Sequence, residues 1–252
     1  MILAAGYATR LRPLTDALPK QLLPVGGRPI LDWILDRVRE LEGLDGVHLV
    51  TNSRFAPDFE RWAAPHGVVV HDDGTTSNDD RLGAVGDLKL VVERAGLDGE
   101  ELLVLAGDNL FDFSLPEMAA WWRAKGPGAS AVALYDCGDL ELATHYGIAD
   151  TDGDDRIVHF VEKPSDPPST LAATLVYLLS PAHVGLLDTY LAEGHGADNA
   201  GSFLGWLAGR EPVYGYRIEG RWHDIGNRDQ LLEADNLLRR RLGLPERRTY
   251  SL

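Results

Sequence analysis

Short apolar runs alternate with amphipathic segments through the first 137 residues of this chain of 252 residues, and this alternation restricts the fold more than any other feature. The apolar runs predict β-strands at 2–5, 47–50, 67–70, 101–109 and 129–135. The segments between them predict helices that begin at Pro29 or cover 57–64, 81–97 and 115–126. Because strands alternate with helices, we predict an α/β fold with a mostly parallel central sheet flanked by helices.

The pattern changes after residue 138. "GIADTDGDDRIVHFVEKP" predicts two strands around an Asp-Gly turn, and "VYGYRIEGRWHDIG" predicts a second hairpin. A further strand is predicted at 171–180, with helices at 181–194, 202–210 and 228–243. We therefore predict a single domain over 1–252, with one half at 1–137, an α+β half at 138–226, and a C-terminal helix and tail at 227–252.

The composition excludes several classes of partner. The formal net charge is −15, whereas binding to a nucleic-acid backbone needs a basic face. A local basic pocket on an acidic body still allows a small phosphorylated substrate. No apolar run reaches the ~20 residues of a membrane span, so no membrane partner is expected. Cys137 is the single cysteine and no leader pattern precedes Gly6, so we expect a cytoplasmic protein. The first predicted strand is short, which leaves open a native start upstream.

The stretch "LAAGYATRLRPLTDALPKQLLPVGGRP", which starts at Leu3, has the features of a phosphate-binding loop. Gly6 would let backbone N–H groups approach a phosphate, and Arg10, Arg12 and Lys20 supply positive charge. Neither the Walker A nor the Rossmann glycine pattern is present. From these residues alone, a phosphate site and an ordinary connecting loop both remain open.

The same stretch, extended to "PIL", resembles the signature of sugar-1-phosphate nucleotidylyltransferases. Four further segments resemble that family in the same order, namely "LAGDNLFDF" at 105–113, "YGI" at 146–148, "VEKP" at 161–164 and "WHDIG" at 222–226. The wording of "PKQLLP" and "GDNLF" is nearest to the glucose-1-phosphate thymidylyltransferases. The resemblance implies a Rossmann-like nucleotidyltransferase fold with an α+β sugar-binding insertion. It also implies an enzyme of EC 2.7.7 type that joins a nucleoside triphosphate to a sugar 1-phosphate and releases pyrophosphate, by in-line attack on the α-phosphate.

The resemblance also implies roles for individual residues. Arg10 and Lys20 would be catalytic, and Asp108 and Asp224 would bind Mg²⁺. The nucleotide would be bound by Leu3, Ala5, Gly6, Gln21, Asn78, Gly83 and Asp108, of which Asn78 and Gly83 are hypotheses for contacts to the base. The sugar phosphate would be bound by Asn109, Tyr146, Gly147, Glu162, Lys163 and Tyr177.

Each role has a structural alternative. Lys20 and Arg10 are also typical of a solvated surface, Asp108 of a helix N-cap, and Asp224 of a hairpin turn. The Glu-Lys pair at 162–163 is also typical of a strand end, and Tyr177 of a core.

Three departures from the family pattern bear on the substrates. Ala8 replaces a glycine, Asn227 replaces a threonine, and "NDDRLGAVGDL" at 78–88 stands where the thymidylyl enzymes have a different base-reading stretch. We expect dTTP or UTP with glucose 1-phosphate. A cytidylyl- or guanylyltransferase acting on another sugar or cyclitol phosphate remains open, as does a non-catalytic subunit that senses a nucleotide sugar. A homo-oligomer is compatible with the resemblance, but no sequence feature locates an interface.

Overall fold

The computed structural model describes all residues from 1 to 252. Its strands are β1 Ile2–Leu3, β2 Pro24–Val25, β3 Arg28–Pro29, β4 Val47–Thr51, β5 Val68–Asp72, β6 Leu102–Ala106, β7 Asn109–Phe111, β8 Ser130–Asp136, β9 Gly147–Thr151, β10 Ile157–Glu162, β11 Leu171–Leu179, β12 Val213–Arg217 and β13 Trp222–Asp224. Its helices are α1 Ile30–Val38, α2 Ala56–Ala63, α3 Ala84–Ala95, α4 Leu115–Ala124, α5 Leu140–Ala143, α6 Pro181–Val184, α7 Leu186–Ala192, α8 Ala200–Ala208 and α9 Arg228–Arg241.

The predicted fold class is confirmed: the fold is α/β, with a mostly parallel central sheet flanked by helices. Two predicted elements are divided. The strand expected at 101–109 forms β6 and β7, and the helix expected at 181–194 forms α6 and α7. None of the helices has both the length and the apolar character needed to cross a membrane.

The chain forms two compact units that alternate along the sequence. The first unit contains Met1, Leu82–Leu105 and Pro116–Glu219, and the second contains Ile2–Arg81, Ala106–Leu115 and Gly220–Leu252. The boundaries that we predicted at 137 and 226 stay a prediction.

The second unit contains the parallel strands β1, β4 and β5, in which Ile2 lies opposite Leu49 and Val50 lies opposite His71. Helix α1 begins after Pro29 and buries a face with helical spacing, which includes Ile30, Ile34 and Val38. A separate antiparallel pair, β7 with β13, places Asn109 opposite Asp224. This pair brings two distant motif segments together.

The first unit is built around the long strand β11. It pairs antiparallel with β6, β8 and β9, and β9 forms the predicted hairpin with β10. Within that hairpin Gly147 lies opposite Glu162, so "YGI" and "VEKP" are neighbours. Helix α8 packs against β10.

The predicted second hairpin at 213–226 is wrong. Strand β12 pairs in parallel with β8, and β13 pairs antiparallel with β7, so the two strands are not partners. Alternation of polar and apolar residues predicts which face of a strand is buried, but it does not identify the neighbouring strand. Here β12 belongs to the first unit and β13 to the second.

Candidate active site

The opening loop leaves β1 and turns sharply at Ala8. Ala8 has φ +45° and ψ +44°, the left-handed region that favours glycine. Its carbonyl accepts hydrogen bonds from Leu11 N at 3.1 Å and from the buried Thr15 Oγ1 at 2.9 Å. The turn therefore needs a glycine-like conformation at the position where the family pattern has glycine.

Two contacts that the sequence did not predict hold this loop in place. The fully buried Asn52 donates from Nδ2 to the carbonyl of Ala5 at 2.9 Å, and Tyr7 Oη lies 3.0 Å from Thr75 Oγ1. Burial raises the pKa of Tyr7, so the phenol stays neutral. The signal for Asn52 was its place at the carboxyl end of a predicted strand, where α/β proteins collect functional residues.

Lys20 connects three motif segments within the second unit. Its Nζ donates to Asp108 Oδ2 and, at 2.7 Å, to the carbonyl of Ile225. Only 9% of Lys20 is exposed, so a solvated surface lysine is not what the structure contains. A backbone hydrogen bond also joins the last two of these segments, because Ile225 N donates to the carbonyl of Asp108 at 3.3 Å.

Further oxygen-bearing residues neighbour Lys20 and Asp108 in sequence or across the β7–β13 pair. Asp108 directly precedes Asn109, and Asn109 lies opposite Asp224 in the β7–β13 pair. Asn109 Oδ1 and Gln21 Oε1 are buried acceptors without a hydrogen-bond partner. Carboxylate and amide oxygens are the ligands that Mg²⁺ prefers, and one or two carboxylates suffice when a phosphate completes the shell. The donor set therefore fits a divalent cation, although no group of three or more His, Cys, Asp or Glu side chains forms a metal cage.

The remaining residues predicted to bind the nucleotide differ in how they contact the rest of the protein. The carbonyl of Leu3 accepts from Gly107 N at 2.9 Å, which ties β1 to the Asp108 segment. Gly6 is exposed, with no atom within 4 Å of where a Cβ would lie. Arg10 is also exposed, and it forms neither a hydrogen bond nor an ion pair with Lys20 or Asp108.

In the first unit, the predicted sugar-phosphate residues cluster around Glu162. Its Oε1 accepts from Asn199 Nδ2 at 2.6 Å and lies 3.8 Å from Lys163 Nζ. Lys163 has φ +46°, a left-handed conformation that is strained for a residue with a side chain, and its N donates to the carbonyl of Tyr146 at 3.0 Å. Gly147 leaves room for this arrangement, since a Cβ there would lie 2.8 Å from Glu162 Oε2.

Tyr177 is buried in the core of the first unit, on β11. Burial raises the pKa of its phenol, and the negative charge of Glu162 raises it further. Tyr177 is thus a core residue whose phenol is affected by the charge of Glu162.

The two hypotheses for base contacts stay predictions. Asn78 is exposed, and its carbonyl accepts from Arg81 Nη1 at 2.7 Å. Gly83 precedes α3 with φ +81°, and a Cβ there would lie 2.5 Å from Asp198 Cα and 2.6 Å from the carbonyl oxygen of Ala197. Glycine at 83 is therefore required by packing, whatever its role toward a base.

Comparisons with known proteins identify the family of this chain. The nucleotidyl transferase family model matches residues 1–241. A UTP–glucose-1-phosphate uridylyltransferase of Synechocystis sp. is 31% identical over 90% of this chain and 59% of its own length. A mannose-1-phosphate guanyltransferase of Yarrowia lipolytica is 30% identical over 93% of this chain and 62% of its own length. The chain thus spans about three fifths of these relatives.

The fold also matches solved structures. A Bacillus anthracis protein, provisionally assigned as a glucose-1-phosphate thymidylyltransferase and crystallised with sucrose, superposes with a TM-score of 0.81. The match covers 94% of each chain at 24% sequence identity, a level that supports the fold alone.

Proposed function

Because this chain belongs to the nucleotidyl transferase family, we propose that it is a sugar-1-phosphate nucleotidylyltransferase of EC 2.7.7 type. It would transfer a nucleotidyl group from a nucleoside triphosphate to a sugar 1-phosphate and release pyrophosphate. The observation that carries this proposal is the bonding of Lys20 to both Asp108 and Ile225, which joins the glycine-bearing loop to both acidic segments.

In the proposed reaction the second unit binds the triphosphate. Phosphoryl-group transfer needs positioning and charge stabilisation rather than a nucleophilic side chain. An ammonium group has three N–H donors, and Lys20 uses two of them on Asp108 and Ile225. The third is left for an oxygen of the reacting phosphate, on a side chain that can no longer rotate freely. Arg10 is exposed, and in this proposal it binds the β- and γ-phosphates.

Asp108 and Asp224 would hold a Mg²⁺ ion. Lys20 bonds to Oδ2 of Asp108, which leaves Oδ1 for a cation. A bound Mg²⁺ would neutralise charge on the triphosphate and on the departing pyrophosphate. The protein then contributes the fixed carboxylates and the lysine.

In the same proposal the first unit binds the sugar 1-phosphate. Glu162 would accept hydrogen bonds from sugar hydroxyls, and Lys163 would pair with the phosphate. Gly147 keeps the space beside Glu162 free of a side chain, and the carbonyl of Tyr146 accepts a hydrogen bond from Lys163 N. Tyr177 is buried, so in this proposal it supports the site from the core. Asn109, the remaining member of the predicted sugar set, has a buried amide oxygen without a hydrogen-bond partner.

For the substrates we propose UTP or dTTP with glucose 1-phosphate, in line with the named activity of the Synechocystis relative. GTP with mannose 1-phosphate is the second candidate, because a guanyltransferase is almost equally similar to this chain. The departure at 78–88 from the thymidylyl pattern also favours it. A reducing cytoplasm suits a chain with one cysteine and no disulfide, and we place the activity there.

The test is pyrophosphate release with Mg²⁺, measured over a grid of nucleoside triphosphates against sugar 1-phosphates. The same grid with Lys20→Met protein controls for contaminating enzymes. One pair of substrates that releases pyrophosphate only with the wild-type protein supports the proposal and names both substrates. A grid without turnover from folded protein contradicts it. A nucleotide sugar that then raises the melting temperature would select the non-catalytic sensor.

A further inference from the structure

The carboxylate of Glu162 lies against the backbone of two glycines in the first unit. A Cβ at Gly147 would lie 2.8 Å from Glu162 Oε2, and a Cβ at Gly201 would collide with the same oxygen. The side chain is 21% exposed, so it is mostly enclosed but still reaches the surface. Both glycines therefore leave room for one particular orientation of this carboxylate.

Asn199 holds the carboxylate in that orientation through its amide. Its Nδ2 donates to Glu162 Oε1 at 2.6 Å, while its Oδ1 accepts from Gly201 N at 3.0 Å. The second bond makes Asn199 the N-cap of α8. One side chain thus fixes the start of a helix and the position of a charged group that lies 37 residues earlier in the chain.

The backbone around Asn199 is itself fixed from the opposite side. The first N–H groups of α3 donate to the residues before it, Ala84 N to Asp198 O at 3.2 Å and Val85 N to Ala197 O at 2.8 Å. Gly83 has no Cβ, which allows this close approach. The two residues before Asn199 are therefore held by α3, and Asn199 itself caps α8, so its amide can act as a rigid support.

Without this support, Glu162 has a competing partner. Lys163 Nζ lies 3.8 Å from the oxygen that Asn199 binds, a long ion pair that a small rotation would shorten to a direct hydrogen bond. Such a hydrogen bond would make both groups less available to a sugar 1-phosphate, because it would occupy a lone pair of the carboxylate and neutralise the charge of the lysine.

We propose that Asn199 is a positioning residue for the sugar 1-phosphate, which keeps Glu162 oriented and prevents its ion pair with Lys163 from shortening to a direct hydrogen bond. This inference rests on the proposed function, and it adds a residue outside the five motif segments. Asn199 does not itself need to touch the substrate. Its loss should raise the KM for the sugar 1-phosphate more than it lowers kcat.

The test uses two variants that keep the helix cap and remove the amide donor. Asn199→Asp places a carboxylate beside Glu162, and Asn199→Ser replaces the amide with a shorter hydroxyl without adding charge; Asp, Ser and Asn are comparable N-caps. Asp139→Asn is the matched control, because Asp139 caps α5 through Glu141 N and Leu142 N. The KM values for the sugar 1-phosphate and for the nucleotide are measured for all three, together with their melting temperatures.

For Asn199→Asp we expect the KM for the sugar 1-phosphate to rise about tenfold or more near pH 8, because a charge-assisted hydrogen bond is replaced by repulsion. The ratio of this KM to that of the wild-type protein should shrink as the pH falls, because protonation of either carboxyl group of the variant relieves the repulsion. Lys163 and Tyr177 also face Glu162, and both are unchanged in the variant. Asn199→Ser should show a rise of about threefold without this pH dependence.

The outcomes separate this inference from the proposed function. If the wild-type protein turns over a pair of substrates and Asn199→Asp keeps its sugar KM and melting temperature, the positioning role is wrong and the proposed function stands. If only the melting temperature falls, Asn199 is a structural cap and the inference is also wrong. If the wild-type protein has no activity on any pair, the proposed function fails first and this inference fails with it.

Discussion

Lys20 and Asp108 form an ion pair across 88 positions of sequence, with side chains that are 11% and 24% exposed. The lysine begins a short 3-10 helix, and the aspartate follows a mostly buried strand. Their pairing means that the lysine is positioned before any substrate arrives, which is the form of charge stabilisation that contributes most to enzyme rates.

We expect Lys20→Met to lower kcat by roughly 10²- to 10³-fold, as the loss of one fixed donor to a transition-state oxygen does elsewhere. Steady-state pyrophosphate release measures this. Lys89→Met is the control, because Lys89 pairs with Glu93 and Asp188 and belongs to none of the motif segments. A folded Lys20→Met protein with wild-type kcat would remove Lys20 from the mechanism.

Asp224→Asn should raise the Mg²⁺ concentration needed for half-maximal rate, because an amide oxygen binds a divalent cation more weakly than a carboxylate does. The rate is measured as a function of Mg²⁺ for the wild-type protein and the variant. Asp229→Asn, an exposed change in the first turn of α9, serves as the control. An unchanged Mg²⁺ dependence in Asp224→Asn would place the cation elsewhere.

Ala8→Gly should stabilise the protein. An alanine at φ +45° carries a strain of about 1 kcal/mol, which glycine removes. Glycine also makes the unfolded chain more flexible, and this opposes part of the gain in stability. We expect a net gain of about 0.5 kcal/mol in the free energy of unfolding, measured by urea denaturation. Ala17→Gly is the control, because Ala17 has no positive φ and should gain nothing. Equal effects at both positions would argue against strain at Ala8.

Gly147→Ala should destabilise the first unit. The added methyl would lie 2.5 Å from Phe160 Cζ and 2.8 Å from Glu162 Oε2, and relieving such overlap typically costs about 1–3 kcal/mol. Gly153→Ala offers a matched control, since Gly153 lies in the turn of the same hairpin with no atom near its missing Cβ. Thermal unfolding that shows the same stability for both variants would contradict the tight packing at Gly147.

Stability should fall as the pH drops below about 6.5, in part because of His183. Burial lowers the pKa of this histidine, an effect that Glu211 partly opposes, and Ser130 Oγ lies 2.7 Å from its Nδ1. As the pH falls, this histidine takes up a proton in the unfolded chain before it does so in the folded protein. The stability that His183 contributes is therefore complete above the pKa of the unfolded histidine, and it is lost as the pH falls toward the lower pKa of the folded one.

Urea unfolding at neutral and acidic pH measures this dependence on pH. His183→Gln should lose less stability between the two conditions than the wild-type protein, whereas the exposed control His145→Gln should behave like the wild type. The same loss in His183→Gln and in the wild type would exclude His183 as a source.

The sequence predicted most of the helices and strands and pointed to the lysine and aspartates of the candidate site, because hydrophobic periodicity and sequence motifs are local signals. It did not predict Asn52 or Asn199, whose bonds to Ala5 and Glu162 join residues 47 and 37 positions apart. Nothing local distinguishes such an asparagine from one in an ordinary cap or turn. The hairpin at 213–226 was wrongly predicted for a related reason, since the partner of a strand is decided by the whole sheet.

The bond from Lys20 to Ile225 joins residues 205 positions apart, and this has a consequence for the order in which the protein is made. A ribosome releases the loop long before it synthesises the carbonyl that completes the lysine's surroundings. Until then the emerging chain carries a basic loop without the backbone acceptor that fixes it. Under the proposed function, the ability to hold a triphosphate in a reactive position should therefore arise late in synthesis, after Ile225 has left the ribosome, and partial chains should lack it.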